Sequence, residues 1–227
     1  MKTTTIRHLM LLSLFTLCFK PAHAQLKIRD VFTSNEVVWY GLDFSNAKFI
    51  GKFNHDFSNR PVSEYELINK YIPAWNSLVI MEPHNFDLKN VFRKKTVYND
   101  LTYINKKNEA IREEGIITLN SYSMTKEQVR EIILSYGAGN KPEGLGLTCI
   151  VESFDKSKTT GNFWIVFFDI KTREVLLCEH CEGEPVGFGI RNYWAGSLKH
   201  VLKKIQYEKY QQWKRTYLKE PESLTRK

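Results

Sequence analysis

The apolar run FWIVFFDI, residues 163–170, constrains the fold most because it carries large apolar side chains at consecutive positions. Since side chains alternate between the two faces of a strand, a strand built from this run is covered on both faces. The run lies between LGLTCIVESFD (145–155) and VLLCEHC (175–181), and only short polar turns separate the three. This tight spacing predicts an antiparallel three-strand meander.

Helical and strand patterns fill the rest of the chain. A strand is predicted over 36–51, and a capping box at Ser63 and Glu66 begins an amphipathic helix. We therefore expect an α+β fold, with a mostly antiparallel sheet, helices packed against it and a long C-terminal helix. The sequence is divided into a signal peptide (1–24), a leader (25–35), a single domain (36–205) and a polar, aromatic helical extension (206–227).

The amino terminus has the pattern of a secretory signal. Lys2 and Arg7 precede an eleven-residue apolar run at 9–19, and small residues predict cleavage between Ala24 and Gln25. The run is too short to cross the ~30 Å hydrocarbon core as a helix, although a retained anchor is the alternative. We expect a periplasmic or secreted protein with no transmembrane segment after signal removal.

Two further features narrow the class of protein. Cys18 follows Leu17 rather than a small residue, so a lipoprotein is not expected. Removing residues 1–24 takes away three cations and no acid, which lowers the formal net charge from +8 to +5. The remaining charges are interspersed, so nucleic acid is not an expected partner.

Cys178 and Cys181 form a Cys-x-x-Cys pair with His180 between them. The pair could be a disulfide or redox site, and with His180 it could contribute to a metal site, but a structural zinc site needs four ligands. In a strand, residues three apart point to opposite faces, and Cys149 would remain unpaired. Buried structural thiols are the simpler interpretation.

A glycine cluster precedes the last predicted helix. Backbone amides at Gly187 and Gly189, together with Arg191, could bind an anion. The spacing lacks the Gly-Lys-Ser/Thr of a phosphate loop. The alternative is that these glycines only let the chain reverse between strand and helix.

The C-terminal segment has aromatic residues at helical spacing among lysines. Tyr207, Tyr210, Trp213 and Tyr217 fall at steps of three and four, which predicts one stripe of a helix. This stripe could bind a partner, or it could bury its rings against the domain. The sequence leaves both alternatives open.

Catalytic motifs are not evident. The sequence has no nucleophile elbow, no His-Glu-x-x-His and no Asp-rich metal loop. Acids stand near predicted strand ends, where two of them could form a hydrolytic pair if they line one cleft. These acids are Asp43, Glu152, Asp155 and Asp169.

Two stretches, WYGLDFSNAKFIG (39–51) and FWIVFFDIKTREVLL … GFGIRNYWAG (163–196), resemble a family of uncharacterised secreted bacterial proteins. The order of elements also resembles the amino-terminal domain of the periplasmic protein TolB and periplasmic lipoprotein activators of cell-wall synthases, although this chain departs from the lipoproteins in lacking the lipid cysteine. These resemblances imply an interaction module of the cell envelope.

We therefore predict an exported, non-catalytic binding module whose partner is an envelope protein or a cell-wall component, and which needs no cofactor. One alternative is a thiol-redox or metal-binding protein centred on Cys178 and Cys181. A further alternative is an envelope hydrolase.

Overall fold

The computed structural model describes residues 25–55, 59–137 and 139–219. The strands are β1 (Glu36–Asp43), β2 (Lys48–Ile50), β3 (Thr96–Asn99), β4 (Ile117–Thr118), β5 (Leu145–Asp155), β6 (Thr160–Asp169) and β7 (Val175–Gly183). The short helices are α1 (Ile28–Thr33), α3 (Leu88–Val91), α4 (Thr102–Glu109) and α5 (Lys126–Leu134). Two longer helices each contain a π-helical turn: α2 comprises Glu64–Glu66, the π turn Leu67–Tyr71 and Ile72–Met81, and α6 comprises Gly189–Lys204, the π turn Ile205–Lys209 and Tyr210–Tyr217.

All seven strands belong to one sheet, and its first five strands pair in parallel. β1 pairs with β3 and β5, while β2 pairs with β4 and β5, so β1 and β2 lie end to end along one side of β5. Only β5, β6 and β7 run antiparallel, as the predicted meander. The predicted α+β class with a mostly antiparallel sheet is therefore wrong, and the fold is of the α/β type.

The connections explain this correction. Parallel neighbours need a crossover of a dozen residues or more, commonly a helix, whereas antiparallel neighbours can be joined by a tight turn. α2 and α3 lead from β2 to β3, α4 leads from β3 to β4, and α5 leads from β4 to β5. From β2 to β5 a helix separates each strand from the next, and that alternation is the sequence pattern of a parallel sheet.

Helices cover both faces of the sheet. One face, here called the α6 face, packs against α1, α2, α3 and α6, and the opposite α5 face packs against α4 and α5. β6 serves both faces, as its apolar run predicts. Phe163, Ile165 and Phe167 lie on the α6 face, and Trp164, Val166 and Phe168 lie on the α5 face.

A gap in strand pairing occurs along β1, because β3 pairs only with its beginning and β4 pairs only with β2. Two buried asparagines replace the missing strand. Asn76 of α2 accepts from Leu42 N–H at 2.7 Å and donates to Leu42 O at 3.0 Å. Asn108 of α4 accepts from Phe44 N–H and donates to Leu42 O, both at 2.9 Å. The gap is thus closed by side chains from both faces.

Candidate functional site

A groove of about 860 Å³ lies between α2 and α6, and we call it the α2–α6 groove. Its walls are the end of α2 with the segment that follows, the loop after β7, and the first turns of α6. Its lining residues are Leu78, Glu82, Asn85, Phe86, Glu184, Pro185, Val186, Gly187, Arg191, Asn192, Ala195, Gly196, Lys199, His200 and Lys203. A cavity of this size lies within the range of small-molecule sites.

Close packing holds the walls together. The indole Nε1 of Trp75 on α2 donates to the carbonyl of Arg191 on α6 at 2.8 Å. A Cβ on Gly196 would lie 2.0 Å from the carbonyl oxygen of Val186, so only glycine lets the loop approach the helix this closely. Gly187 has a φ of +136°, which also favours glycine. The sequence therefore fixes the loop against the start of α6.

Apolar and charged side chains meet in this groove. Leu78, Phe86 and Ala195 contribute apolar surface. Val186 in the loop is 67% exposed, and Phe188, which immediately precedes α6, is 66% exposed.

The positive charges of the groove come from one face of α6. Arg191, Lys199 and Lys203 stand against two acids, Glu82 and Glu184, which gives a formal net charge of +1. Lys199 Nζ donates to Asn85 Oδ1 at 2.5 Å, and Arg191 Nε donates to Asn192 Oδ1 at 3.1 Å. Lys203 makes no hydrogen bond or ion pair with the residues that the structure describes.

The residues of the predicted anion site are partly brought together here. Gly187 and Arg191 both line the groove, whereas Gly189 is the first residue of α6 and does not line it. Phe188, the residue before α6, has no side-chain hydrogen-bond acceptor and therefore does not cap the first N–H groups of the helix. The sequence-based prediction did not include Lys199 and Lys203. A signal for them was present, because positions 191, 195, 199 and 203 are four residues apart and therefore lie on one helix face.

The Cys-x-x-Cys pair does not form one site. Cys178 packs in the core of the α5 face, while Cys181 packs on the α6 face together with Cys149. No disulfide joins these three cysteines. Burial raises the pKa of both Cys178 and Cys181 to about 12, so both thiols stay protonated at neutral pH.

His180 pairs with a carboxylate rather than with the cysteines. Its Nε2 lies 3.4 Å from Glu152 Oε1. Glu152 also accepts from Met124 N–H and from Trp164 Nε1–H, both at 2.8 Å. Burial alone would raise the pKa of Glu152, but the contact with His180 and the hydrogen bonds from Met124 and Trp164 together outweigh it and hold the pKa below its ordinary value.

Three of the four aromatic residues in the C-terminal stripe pack against the protein. Tyr210 and Trp213 are buried in the core of the α6 face, and Tyr217 donates to Glu179 of β7. Tyr207 is 74% exposed. The π turn explains the difference, because the inward stripe steps five residues from Ile205 to Tyr210 and passes over Tyr207. The helix also continues through the predicted boundary at 205/206.

The four acids near strand ends all make structural contacts. Asp43 is fully buried and binds Lys107 Nζ at 2.9 Å and Tyr136 O–H at 2.8 Å. A cavity of about 410 Å³ is lined by Lys107 and Met124, the partners of Asp43 and Glu152, but neither carboxylate lines it. The other two, Asp155 and Asp169, accept backbone N–H groups of the turns that follow them.

Sequence reasoning missed a polar cluster after β2. Arg60 donates both terminal nitrogens to Glu66, at 2.8 and 3.1 Å, and His55 Nε2 lies 3.2 Å from the same carboxylate. The Tyr71 hydroxyl lies 3.5 Å from His55 Nδ1. The Arg60 contact, helped by Ser63 N–H, lowers the pKa of Glu66 to about 2. Only the capping box gave a sequence signal for this cluster.

No group of three potential metal ligands, and no helix long and apolar enough to cross a membrane, occurs within 25–55, 59–137 and 139–219. No protein-family model, curated protein or solved structure matches this chain. The resemblances based on sequence stay predictions, and the cleavage site at Ala24 and Gln25 falls at the edge of the described residues.

Proposed function

We propose that this protein is an exported, non-catalytic binding module that holds a component of the cell envelope in the α2–α6 groove. Export rests on the signal pattern of residues 1–24. The groove is the observation that carries the proposal: three separate segments line an open groove of ligand size, in which apolar side chains stand beside three cations and two acids.

The placement of the reactive groups favours binding over catalysis. The thiols of the three strand cysteines are buried. The carboxylates of Asp43 and Glu152 are buried among hydrogen-bond donors. A nucleophile or a general base must reach the substrate, and these groups do not line the groove. His200, which does line it, accepts a hydrogen bond from the N–H of Glu184 through Nδ1 at 3.1 Å.

The groove walls are also held in place before any ligand arrives. Trp75 and Phe86 on one side belong to the same core as Trp194 and Leu198 of α6. The bond between Trp75 and Arg191 and the bond between Lys199 and Asn85 cross from one wall to the other. A preformed site lowers the entropic cost of binding.

Site-specific photocrosslinking in the exported protein tests this proposal. A benzophenone amino acid replaces Val186 or Phe188 beside the groove, and in control variants it replaces Leu134 or Tyr65, which are 63% and 61% exposed elsewhere. We expect a discrete crosslinked product at Val186, which lines the groove, and at the neighbouring Phe188, and none at the controls.

Two results would count against the proposal. Crosslinks of equal yield at all four positions would indicate nonspecific contact. The absence of any product at Val186 and Phe188, with the variants exported and folded, would show that the groove holds no envelope component.

A further inference from the structure

We infer that the ligand of the α2–α6 groove is an amphipathic anion, in which one negatively charged group is attached to an apolar body. This inference rests on the proposed function because it concerns the same site. It assigns the charge of the ligand to the α6 wall and the apolar part to the surface between α2 and α6.

The charged end is assigned from the cations of α6. Arg191 and Lys203 lie twelve residues apart on the same helix and both face the groove, with Lys199 between them. Lys199 donates one ammonium N–H to Asn85 and Arg191 donates Nε–H to Asn192, so all three cations have donors left for a ligand. A phosphate or carboxylate can accept charge-assisted hydrogen bonds from such donors.

The apolar end is assigned from the opposite part of the lining. Val186 supplies a 67% exposed apolar side chain at the loop, Ala195 is half-buried between the cations, and Leu78 and Phe86, which are 6% and 4% exposed, form the apolar floor beneath them. An anion without an apolar body would leave this surface in contact with water. A neutral ligand would leave the excess positive charge of the groove, three cations against Glu82 and Glu184, unbalanced.

A series of eight-carbon probes separates these contributions. Octyl phosphate, octyl glucoside and octyltrimethylammonium share the chain and differ in head-group charge, and inorganic phosphate lacks the chain. Each probe is titrated calorimetrically, below its micelle concentration, into the chain 25–227. We expect octyl phosphate to bind at one site, and each of the other three to bind at least about tenfold more weakly.

Variants then locate the site. R191Q should weaken octyl phosphate binding about tenfold, since it removes a charged donor next to the loop. Lys203 lies about 18 Å further along α6, too far for the same head group to contact both, so K203Q should weaken binding by less than R191Q does. K126Q removes an exposed cation of α5 on the opposite face and should leave binding unchanged. A195F fills the groove and should abolish binding, with an unchanged urea midpoint showing that it still folds.

Other outcomes overturn the inference. Equal affinity for octyl glucoside would refute the role of the charge, and equal affinity for inorganic phosphate would refute the role of the apolar surface. Unchanged binding in A195F would place the ligand elsewhere. If octyl phosphate does not bind while the groove crosslinks persist, the inferred ligand class is wrong and the proposed function stands. If octyl phosphate binds but no crosslinks form, the groove accepts an amphipathic anion and the proposed envelope function is wrong.

Vesicles distinguish the two sources of such a ligand. Sedimentation with phosphatidylglycerol vesicles, lost in R191Q, would indicate that the groove takes the anionic lipid from a membrane. Binding of monomeric octyl phosphate without sedimentation would indicate a free amphiphile. Both results support the amphipathic anion, and sedimentation that persists in A195F would contradict the groove as its site.

Discussion

Replacing Asn76 and Asn108 with alanine, singly and together, should destabilise the protein more than additively. In Asn76→Ala the N–H of Leu42 loses its acceptor, and in Asn108→Ala the N–H of Phe44 loses its acceptor. A buried donor without a partner costs about 1–3 kcal/mol, so each single variant should lose about that much free energy of unfolding.

The coupling comes from a shared acceptor. The carbonyl of Leu42 receives one hydrogen bond from each asparagine, so it keeps a partner in either single variant. The double variant removes both donors, and this buried carbonyl is then also unsatisfied. The loss in the double variant should therefore exceed the sum of the single losses by about 1–2 kcal/mol.

Urea unfolding of the chain 25–227 measures this cycle, provided that the dependence on urea concentration stays the same in all variants. Asn105→Ala is the matched control, because Asn105 lines the same cavity of about 480 Å³ as the two buried asparagines but is exposed. It should change stability by no more than about 0.5 kcal/mol.

A double variant whose loss equals the sum of the single losses within about 0.5 kcal/mol would refute this reasoning. That result would mean that water from the neighbouring cavity reaches the carbonyl of Leu42. The two asparagines would then be replaceable by solvent, and the gap in strand pairing would not depend on them.

Three further predictions concern other parts of the molecule. The three strand cysteines should react slowly with a thiol reagent at pH 8 and completely in guanidinium, and a fast native reaction would contradict their burial. In urea titrations, Trp213→Ala should lower the free energy of unfolding by about 3–5 kcal/mol because Trp213 is buried. Tyr207→Ala should lower it by no more than about 0.5 kcal/mol because Tyr207 is exposed. Because the pKa of Glu66 is lowered in the folded state, its ionised carboxylate stabilises the fold above pH ~4.5, and this stabilisation is lost as the pH falls towards 2. Arg60→Gln should therefore make the urea midpoint depend less on pH over this range.

The sequence was informative where the signal is local. Close turns predicted the meander of β5, β6 and β7, and alternation along β7 predicted that Cys178 and Cys181 lie on opposite faces. Strand direction was not recognised before β5, because the side-chain pattern of a strand such as β1 is the same whether its neighbour runs parallel or antiparallel. Only the alternation of strands and helices carried that information.

The candidate groove shows the same limit. Gly187 and Arg191 were identified because glycines and a cation stand together near the start of a helix. Leu78 and Phe86, on the other wall, are about one hundred residues away, and nothing in their own segment indicates that they face Arg191. The position of Tyr207 was not predictable either, because a π turn has no reliable sequence signal.

The π turn of α6 affects how this chain can vary in length. A π turn accommodates one residue more than the α-helix around it, so the turn at Ile205–Lys209 can be regarded as an α-helix with a single-residue insertion. Deleting one residue there restores a regular helix and still leaves Tyr210 and Trp213 facing the core. A deletion beyond Tyr210 would instead rotate Trp213 towards solvent. Homologous chains can therefore differ in length by one residue at this turn, and sequence alignments should place their gaps there.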